Sequence, residues 1–166
     1  VSGSGNHSYN PSSPGSGFDA NTTGEYVLTI LTQDVIPPSV TSFAPVGLVL
    51  DADAREITIQ FSEPMDVTAA ESPASYVLAL SGSDRGFGTA DDVTLATTAY
   101  AAFYDVATDR VRLTLNDPLP NGDVRVTMLA GPLVDRAGLH LNAGTTNEVR
   151  TFSVVTAGAP LPFYDG

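Results

Sequence analysis

Residues 55–62 read Arg-Glu-Ile-Thr-Ile-Gln-Phe-Ser, and this stretch decides the fold class. Its apolar residues Ile57, Ile59 and Phe61 alternate with polar residues. Successive side chains of an extended strand point to opposite faces, so the three apolar side chains share one face and the polar ones share the other. The stretch therefore predicts a β-strand that covers a core on one side and meets water on the other.

The same alternation recurs between turn-forming residues over most of the remaining chain. It predicts further strands at residues 39–43, 75–80, 92–97, 99–104, 109–115, 123–129 and 148–156. The predicted strands at residues 109–115 and 123–129 flank Asn-Asp-Pro-Leu-Pro-Asn-Gly, which is rich in turn formers. This spacing predicts a hairpin.

Helical signals are short by comparison. The best candidate is residues 66–71, where Asp66 is predicted to be the N-cap. No helix is long enough for the crossover between parallel strands. We therefore predict an all-β fold, an antiparallel β-sandwich with an extra N-terminal strand.

Composition excludes several functions. Seven basic and nineteen acidic residues give a net charge of −12, and every basic residue is Arg. Such a surface repels phosphate backbones and anionic lipid, so we expect no nucleic-acid partner. No stretch approaches the roughly 20 apolar residues of a membrane-spanning helix, so we expect no membrane insertion. The chain does not begin with a charged segment followed by an apolar one, as a secretory leader would. We therefore expect either that a leader was removed or that the chain is a piece of a longer protein.

The raw material for catalysis is scarce. The chain contains no Cys, and its two histidines are His7, in a Gly/Ser/Asn stretch, and His140, in a turn-like segment. A Ser-His-Asp site would need one of them, and the Gly-x-Ser-x-Gly motif that exposes a nucleophilic serine does not occur. We therefore expect a protein that is not an enzyme.

Four segments differ in composition. Residues 1–24 are dense in Gly, Ser, Asn and Pro, and they predict an extended segment that buries little apolar area. Residues 25–34 form a lone apolar strand and linker that ends before Pro37-Pro38. Residues 35–157 carry the predicted sandwich, and residues 158–166 form a Gly/Pro tail.

Residues 37–40 (Pro-Pro-Ser-Val), 57–66 (Ile-Thr-Ile-Gln-Phe-Ser-Glu-Pro-Met-Asp), 76–78 (Tyr-Val-Leu) and 134–141 (Val-Asp-Arg-Ala-Gly-Leu-His-Leu) resemble the bacterial Ig-like domain of S-layer and other surface proteins. The resemblance spans about residues 36–156, and the Phe-Ser-Glu-Pro-Met-Asp element is its most specific part. Leu139 departs from the pattern, which usually has Asn after the glycine. The resemblance implies a β-sandwich module of secreted or surface proteins without a catalytic centre.

Residues 1–33 resemble the last segment of a pre-peptidase C-terminal domain, a different secreted β-sandwich. The resemblance implies that Tyr26, Leu28 and Ile30 lie on a strand whose parent sheet is missing from this chain. An apolar strand of this kind must pair with a sheet edge, either in the same chain or in a neighbouring copy. We favour docking within the chain, whereas donation between copies would build a fibre.

A loop with three aspartates predicts a cation site. Residues 82–93 combine glycines with Asp84, Asp91 and Asp92, and hard carboxylate oxygens in that number suit Ca²⁺. The spacing is not that of an EF-hand. The structural alternative is a hairpin in which these aspartates form Asx turns and face water. A second structural expectation is that Glu63 or Asp135 accepts backbone hydrogen bonds at a corner between the sheets.

These observations together predict a non-catalytic structural or adhesive module that is secreted or on the cell surface. Its expected partners are other copies of itself or neighbouring surface domains. One alternative is a calcium-dependent or carbohydrate-binding adhesion domain, which exposed Tyr9, Tyr100, Tyr104 or Tyr164 beside the aspartate loop would favour. Another is an accessory module of a secreted enzyme. Asn6 and Asn21 fit the Asn-x-Ser/Thr pattern for glycosylation.

Overall fold

A computed structural model describes residue 12, residues 33–51 and residues 53–155 of the chain. The chain divides after Gln33, and the architecture below is that of the unit beginning at Asp34. Several predictions lie outside the described residues and stay predictions. They concern the extended segment 1–24 with Tyr9, Asn6 and Asn21, the docking strand with Tyr26, Leu28 and Ile30, and the tail 158–166 with Tyr164.

The described residues form nine strands and little helix. The strands are β1 (Val40–Ala44), β2 (Gly47–Val49), β3 (Glu56–Phe61), β4 (Tyr76–Leu80), β5 (Val93–Thr94), β6 (Tyr100–Asp105), β7 (Arg110–Leu115), β8 (Gly122–Met128) and β9 (Glu148–Val154). One α-helical turn, α1 (Val67–Ala70), follows β3, and 3₁₀ turns occupy Pro73–Ser75, Thr97–Ala99 and Leu141–Gly144. Eight of the nine strands overlap strands that the alternation predicted.

The strands pack as two sheets. The first sheet has the order β1-β3-β7-β6, and the second has the order β2-β9-β8-β4-β5. Every pairing is antiparallel except that of β2 with β9, which is parallel. The fold is therefore an Ig-like antiparallel β-sandwich, as predicted.

The predicted hairpin between residues 109–115 and 123–129 is wrong. Strand β7 pairs with β3 and β6 in the first sheet, whereas β8 pairs with β4 and β9 in the second. The connection crosses between the sheets because Leu119 is buried in the core and its N–H donates to the Ala54 carbonyl at 2.9 Å. An apolar anchor in the middle of a polar, proline-containing turn thus overrides the hairpin signal.

The observed strands differ from the predicted ones at two further places. The strand predicted at residues 92–97 shortens to Val93–Thr94, because the chain turns into the 3₁₀ segment Thr97–Ala99. Strand β2 was not predicted at all. It is three residues long, and Leu48 in its middle is 56% exposed beside Ser153 of β9, so it lacks the alternation of a one-sided strand.

The core lies between the sheets and consists of the inward residues of alternating strands. Its fully buried side chains come from both sheets: Ile57, Ile59, Val111 and Leu113 from the first, and Tyr76, Leu78, Val124, Val126 and Met128 from the second. Phe43 and Phe152 face each other across the core with ring centroids 6.2 Å apart. This burial confirms the inward and outward faces that period-2 alternation predicts for the main strands.

Replacement of Leu113 by alanine tests this core. Leu113 is fully buried in β7, a central strand of the first sheet. Leu113→Ala should lower the free energy of unfolding by about 2–5 kcal/mol, because it removes apolar contacts and leaves a cavity. Urea unfolding followed by circular dichroism measures the loss. Thr114→Ala, on the opposite face of the same strand, should cost less than about 1 kcal/mol; equal losses for the two variants would contradict the assigned faces.

Candidate functional site

Two of the four sequence segments that carry the Ig-like resemblance meet at one corner of the sandwich. Met65, just after β3, forms an isolated antiparallel bridge with Asp135. The Asp66 N–H donates to the Val134 carbonyl at 3.0 Å, and the Arg136 N–H donates to the Pro64 carbonyl at 3.3 Å. Residues 63–66 and 134–140 therefore form one hydrogen-bonded unit, although they lie far apart in the sequence.

Local capping holds the first element in place. The Asp66 side chain accepts a hydrogen bond from the Ala69 N–H at 2.9 Å, so the predicted N-cap is confirmed. The Met65 N–H donates to the Tyr104 hydroxyl at 2.8 Å, and that hydroxyl donates to Asp109 Oδ1 at 2.9 Å. Burial raises the pKa of Tyr104, so this hydroxyl keeps its proton and both hydrogen bonds at neutral pH.

The second element is a tight turn built around Asp135. Val134 and His140 pair across the turn, and Asp135 Oδ1 accepts from the N–H groups of Ala137 at 2.7 Å and Leu139 at 2.8 Å. The prediction that Asp135 accepts backbone hydrogen bonds at a corner is confirmed. Because residue 139 contributes its backbone N–H, Leu139 serves here despite its departure from the family pattern.

Three carboxylates converge at this corner, and we call Asp34, Glu63 and Asp135 the acidic corner. One carboxylate oxygen of each lies within 4.8 Å of the others. Asp34 is exposed, Glu63 is partly buried, and Asp135 is only 2% exposed. The sequence singled out Glu63 and Asp135, but it gave no signal that Asp34, before the two prolines, would join them.

Charge is uncompensated at the acidic corner. Burial, a hydrogen bond with the Asp34 side chain and repulsion from Asp34 and Asp135 raise the pKa of Glu63 to about 7. The ion pairs found among the described residues are Arg55–Asp53, Arg112–Glu56 and Arg150–Glu148, and none of them reaches the corner. The buried Oδ2 atom of Asp135 has no hydrogen-bond partner.

The predicted calcium loop differs from the acidic corner in that all three of its carboxylates accept hydrogen bonds from groups of the loop itself. We call residues 82–92 the acidic loop. Asp91 accepts hydrogen bonds from the Ser83 N–H at 2.7 Å, the Ser83 hydroxyl at 3.1 Å and the Thr89 hydroxyl at 2.8 Å. The Thr89 hydroxyl and then the Ser83 groups lower the pKa of Asp91.

The other two aspartates of the acidic loop also cap turns. Asp84 accepts from the Gly86 N–H at 2.8 Å, and Asp92 accepts from the Gly88 N–H at 2.6 Å. Among the described residues, the three loop carboxylates are not a group that converges on one point, whereas the acidic corner is. The geometry thus favours the Asx-turn alternative, and calcium at Asp84, Asp91 and Asp92 stays a prediction.

The acidic loop lies against the outer face of the second sheet. The guanidinium carbon of Arg125, in β8, is 4.5 Å from the centre of the Phe87 ring, a cation–π contact. Beside it is an open depression of about 440 Å³, lined by Gly47, Phe87, Asp123, Thr151, Phe152 and Ser153. The Ser153 hydroxyl donates to Asp123 within it.

The tyrosines do not supply a sugar-binding platform at the positions described. Tyr100 is 4% exposed and Tyr104 is 8% exposed. The Tyr100 hydroxyl donates to the Tyr76 carbonyl at 2.8 Å, so its polar end is used inside the domain. The condition that would favour carbohydrate binding is therefore not met by these two residues.

A family model for the bacterial Ig-like domain matches residues 34–154. The chain belongs to the bacterial Ig-like domain family. None of the curated proteins matches this Ig-like chain. The resemblance of residues 1–33 to a pre-peptidase C-terminal domain stays a prediction.

Solved structures similar to this Ig-like domain include the S-layer protein rSbsC, with 18% identity and a TM-score of 0.47. That match covers 71% of this chain and 14% of the S-layer protein, so the chain spans a small part of that protein's length. The methionine-rich copper resistance protein PcoC from Escherichia coli has 18% identity and a TM-score of 0.52, covering 71% of this chain and 98% of PcoC. At this identity, the PcoC likeness shows a shared fold.

The Ig-like domain offers little for catalysis among the described residues. His140 Nδ1 lies 2.7 Å from the Gly131 carbonyl oxygen, so its ring is engaged with backbone. Domains of this family are typically non-catalytic. Across the described residues we find no helix with the length and hydropathy that crossing a bilayer requires.

Two glycines test how the acidic loop is held. A Cβ atom at Gly82 would overlap the Asp91 carboxylate, whereas one at Gly86 would meet Asp84 at an ordinary contact distance of 3.4 Å. Gly82→Ala should therefore displace Asp91 from its three donors and accelerate amide exchange across residues 82–92. Gly86→Ala should leave exchange near that of the unchanged protein. Hydrogen exchange with mass spectrometry makes the comparison, and equal exchange in both variants would show that Asp91 does not hold the loop.

Proposed function

We propose that this Ig-like domain is a non-catalytic structural or adhesive module of an extracellular or cell-surface protein. The supporting observation is that polar side chains at the corner of the sandwich hold the fold together. Asp66 caps α1, Asp135 closes a turn, and Tyr104 ties the two elements to the first sheet. Each of these side chains contacts backbone N–H groups, which is a structural use of its polar atoms.

The strand order suits a module that carries load. The unit enters the sandwich through β1 in the first sheet and leaves it through β9 in the second. Strand β9 is hydrogen-bonded on both sides, to β2 and β8, and β1 is bonded to β3. A pull on both ends therefore loads ladders in both sheets, and these must break before the core opens.

Copper binding does not follow from the likeness to PcoC. This chain has two methionines, Met65 and Met128, and both are fully buried in the core. A surface thioether site for a soft metal would need exposed methionine sulfur. We therefore carry over from PcoC the fold and nothing of its metal chemistry.

The edges of the sandwich support association with other copies or neighbouring domains. Strand β6 is an edge of the first sheet, it is six residues long, and its outward Phe103 is 52% exposed. An edge of this length offers unpaired backbone groups to an added strand. Residues 25–33 are the strand that we propose to dock, in the same chain or in another copy.

Single-molecule force spectroscopy tests the load-bearing role. When a tandem array of the chain is pulled, each Ig-like domain should unfold in one cooperative event. Residues 34–154 should release about 40 nm of chain per event, at about 3.3–3.6 Å per residue. Leu113→Ala should lower the unfolding force, with Thr114→Ala as the matched control. Gradual extension without force peaks would contradict a mechanical function.

Light scattering tests assembly through the docking strand. If copies exchange strands, the chain should form oligomers whose mass grows with concentration. Replacing Tyr26, Leu28 and Ile30 with Thr should return it to a monomer, because the apolar face that docks is removed. Replacing Val27 and Leu31 with Thr, on the other face of the strand, is the control. A strictly monomeric protein at high concentration would overturn the fibre version and leave docking within the chain.

A further inference from the structure

The acidic corner contains a buried carboxylate oxygen that the protein does not satisfy. Asp135 is only 2% exposed, and its Oδ1 already accepts two backbone hydrogen bonds. Its Oδ2 is buried and has no partner. A buried charged oxygen without a partner costs substantial free energy, and native structures satisfy such atoms with protein groups, water or an ion.

Two more carboxylates approach the Asp135 carboxylate. Oxygens of Asp34, Glu63 and Asp135 lie within 4.8 Å of one another. Among the described ion pairs, no arginine reaches them, and the chain has no lysine. Three like charges at this spacing repel one another. The cluster therefore needs a proton or a cation to persist.

We propose that the acidic corner binds a Ca²⁺ ion through Asp34, Glu63 and Asp135. The three identified donors are carboxylate oxygens, the hard ligands that Ca²⁺ takes at about 2.3–2.6 Å. Oxygens on opposite sides of such an ion are up to about 5 Å apart, which accommodates a 4.8 Å cluster. Zinc and copper are disfavoured, because the group contains no imidazole or thiolate.

The ion would fix the chain where it enters the sandwich. The segment between Asp34 and β1 is already held at two points. The Ser39 N–H donates to the Ser62 hydroxyl at 3.0 Å, and the Pro38 carbonyl accepts from the Asn142 N–H at 2.9 Å. A Ca²⁺ bridge from Asp34 to Glu63 and Asp135 would add a third point at the first residue of the unit. Calcium would then restrain residues 34–39 against the sandwich.

Isothermal titration of the full 166-residue chain with CaCl₂ tests the site directly. Measurements at pH 8 limit competition between protons and the ion for the carboxylates. We expect one Ca²⁺ per corner, with Kd of about 10⁻⁴–10⁻³ M, the range of extracellular calcium modules. At 10 mM Ca²⁺ the melting midpoint should rise by about 3–10 °C relative to chelated protein.

Matched variants separate the two acidic regions. Asp34→Asn and Glu63→Gln should each weaken binding at least tenfold and remove most of the thermal shift. Without calcium, these variants should be at least as stable as the unchanged protein, because each relieves repulsion. Asp34 is exposed and outside the core, so its variant will fold. The triple variant Asp84→Asn, Asp91→Asn, Asp92→Asn should keep the corner's binding.

Amide exchange gives an independent measurement of the proposed bridge. Calcium should slow exchange across residues 34–39 in the unchanged protein and not in Asp34→Asn. Three results would each overturn the proposal: no binding at 10 mM Ca²⁺, binding that survives both corner variants, or preferential binding of Mg²⁺ over Ca²⁺. The force measurement on chelated protein tests the mechanical role separately, so the two proposals can fail independently.

Discussion

Burial of one face of each sheet against the other is the constraint on which this domain depends. Alternating side chains of β3 and β7 face those of β4 and β8, and most of them are completely removed from water. At about 25 cal/mol per Å² of apolar surface, this burial is the main stabilising contribution. It also extends to a connection, because Leu119 in the loop 116–121, which crosses between the sheets, is buried in the same core.

The corner shows what closing the sandwich requires. Backbone groups at the ends of strands lose water and need partners, and Asp135 supplies one oxygen to two N–H groups of its turn. The same burial that makes this oxygen an effective acceptor leaves the other oxygen of the carboxylate without a partner. The carboxylate that satisfies the backbone therefore has a second oxygen that needs a partner. Glu63 and Asp34 are acidic, so they add repulsion instead of supplying that partner.

Local signals in the sequence were enough for much of this fold. Period-2 alternation predicts β3, β7 and β8 because each covers the core on one side, and Asp66 reads as an N-cap because its partner Ala69 is three residues away. Contacts between distant residues were not predictable in this way. Strand β2 exists because β9 lies beside it, and Asp34 joins Glu63 and Asp135 because the folded chain returns there. Neither contact produces a periodic pattern in the amino-acid sequence.

The two acidic regions differ in how their charges are satisfied, and this difference is the reason for proposing the ion at the acidic corner. In the acidic loop, each aspartate accepts hydrogen bonds from hydroxyl or N–H groups of its own turn. In the acidic corner, the charges face one another, and the most deeply buried oxygen has no donor. Counting aspartates in the sequence favours the loop, whereas the balance of donors and acceptors in the fold favours the corner. The presence of a buried carboxylate oxygen without a donor, rather than the number of carboxylates along the chain, is therefore the reason for placing the proposed ion at the corner.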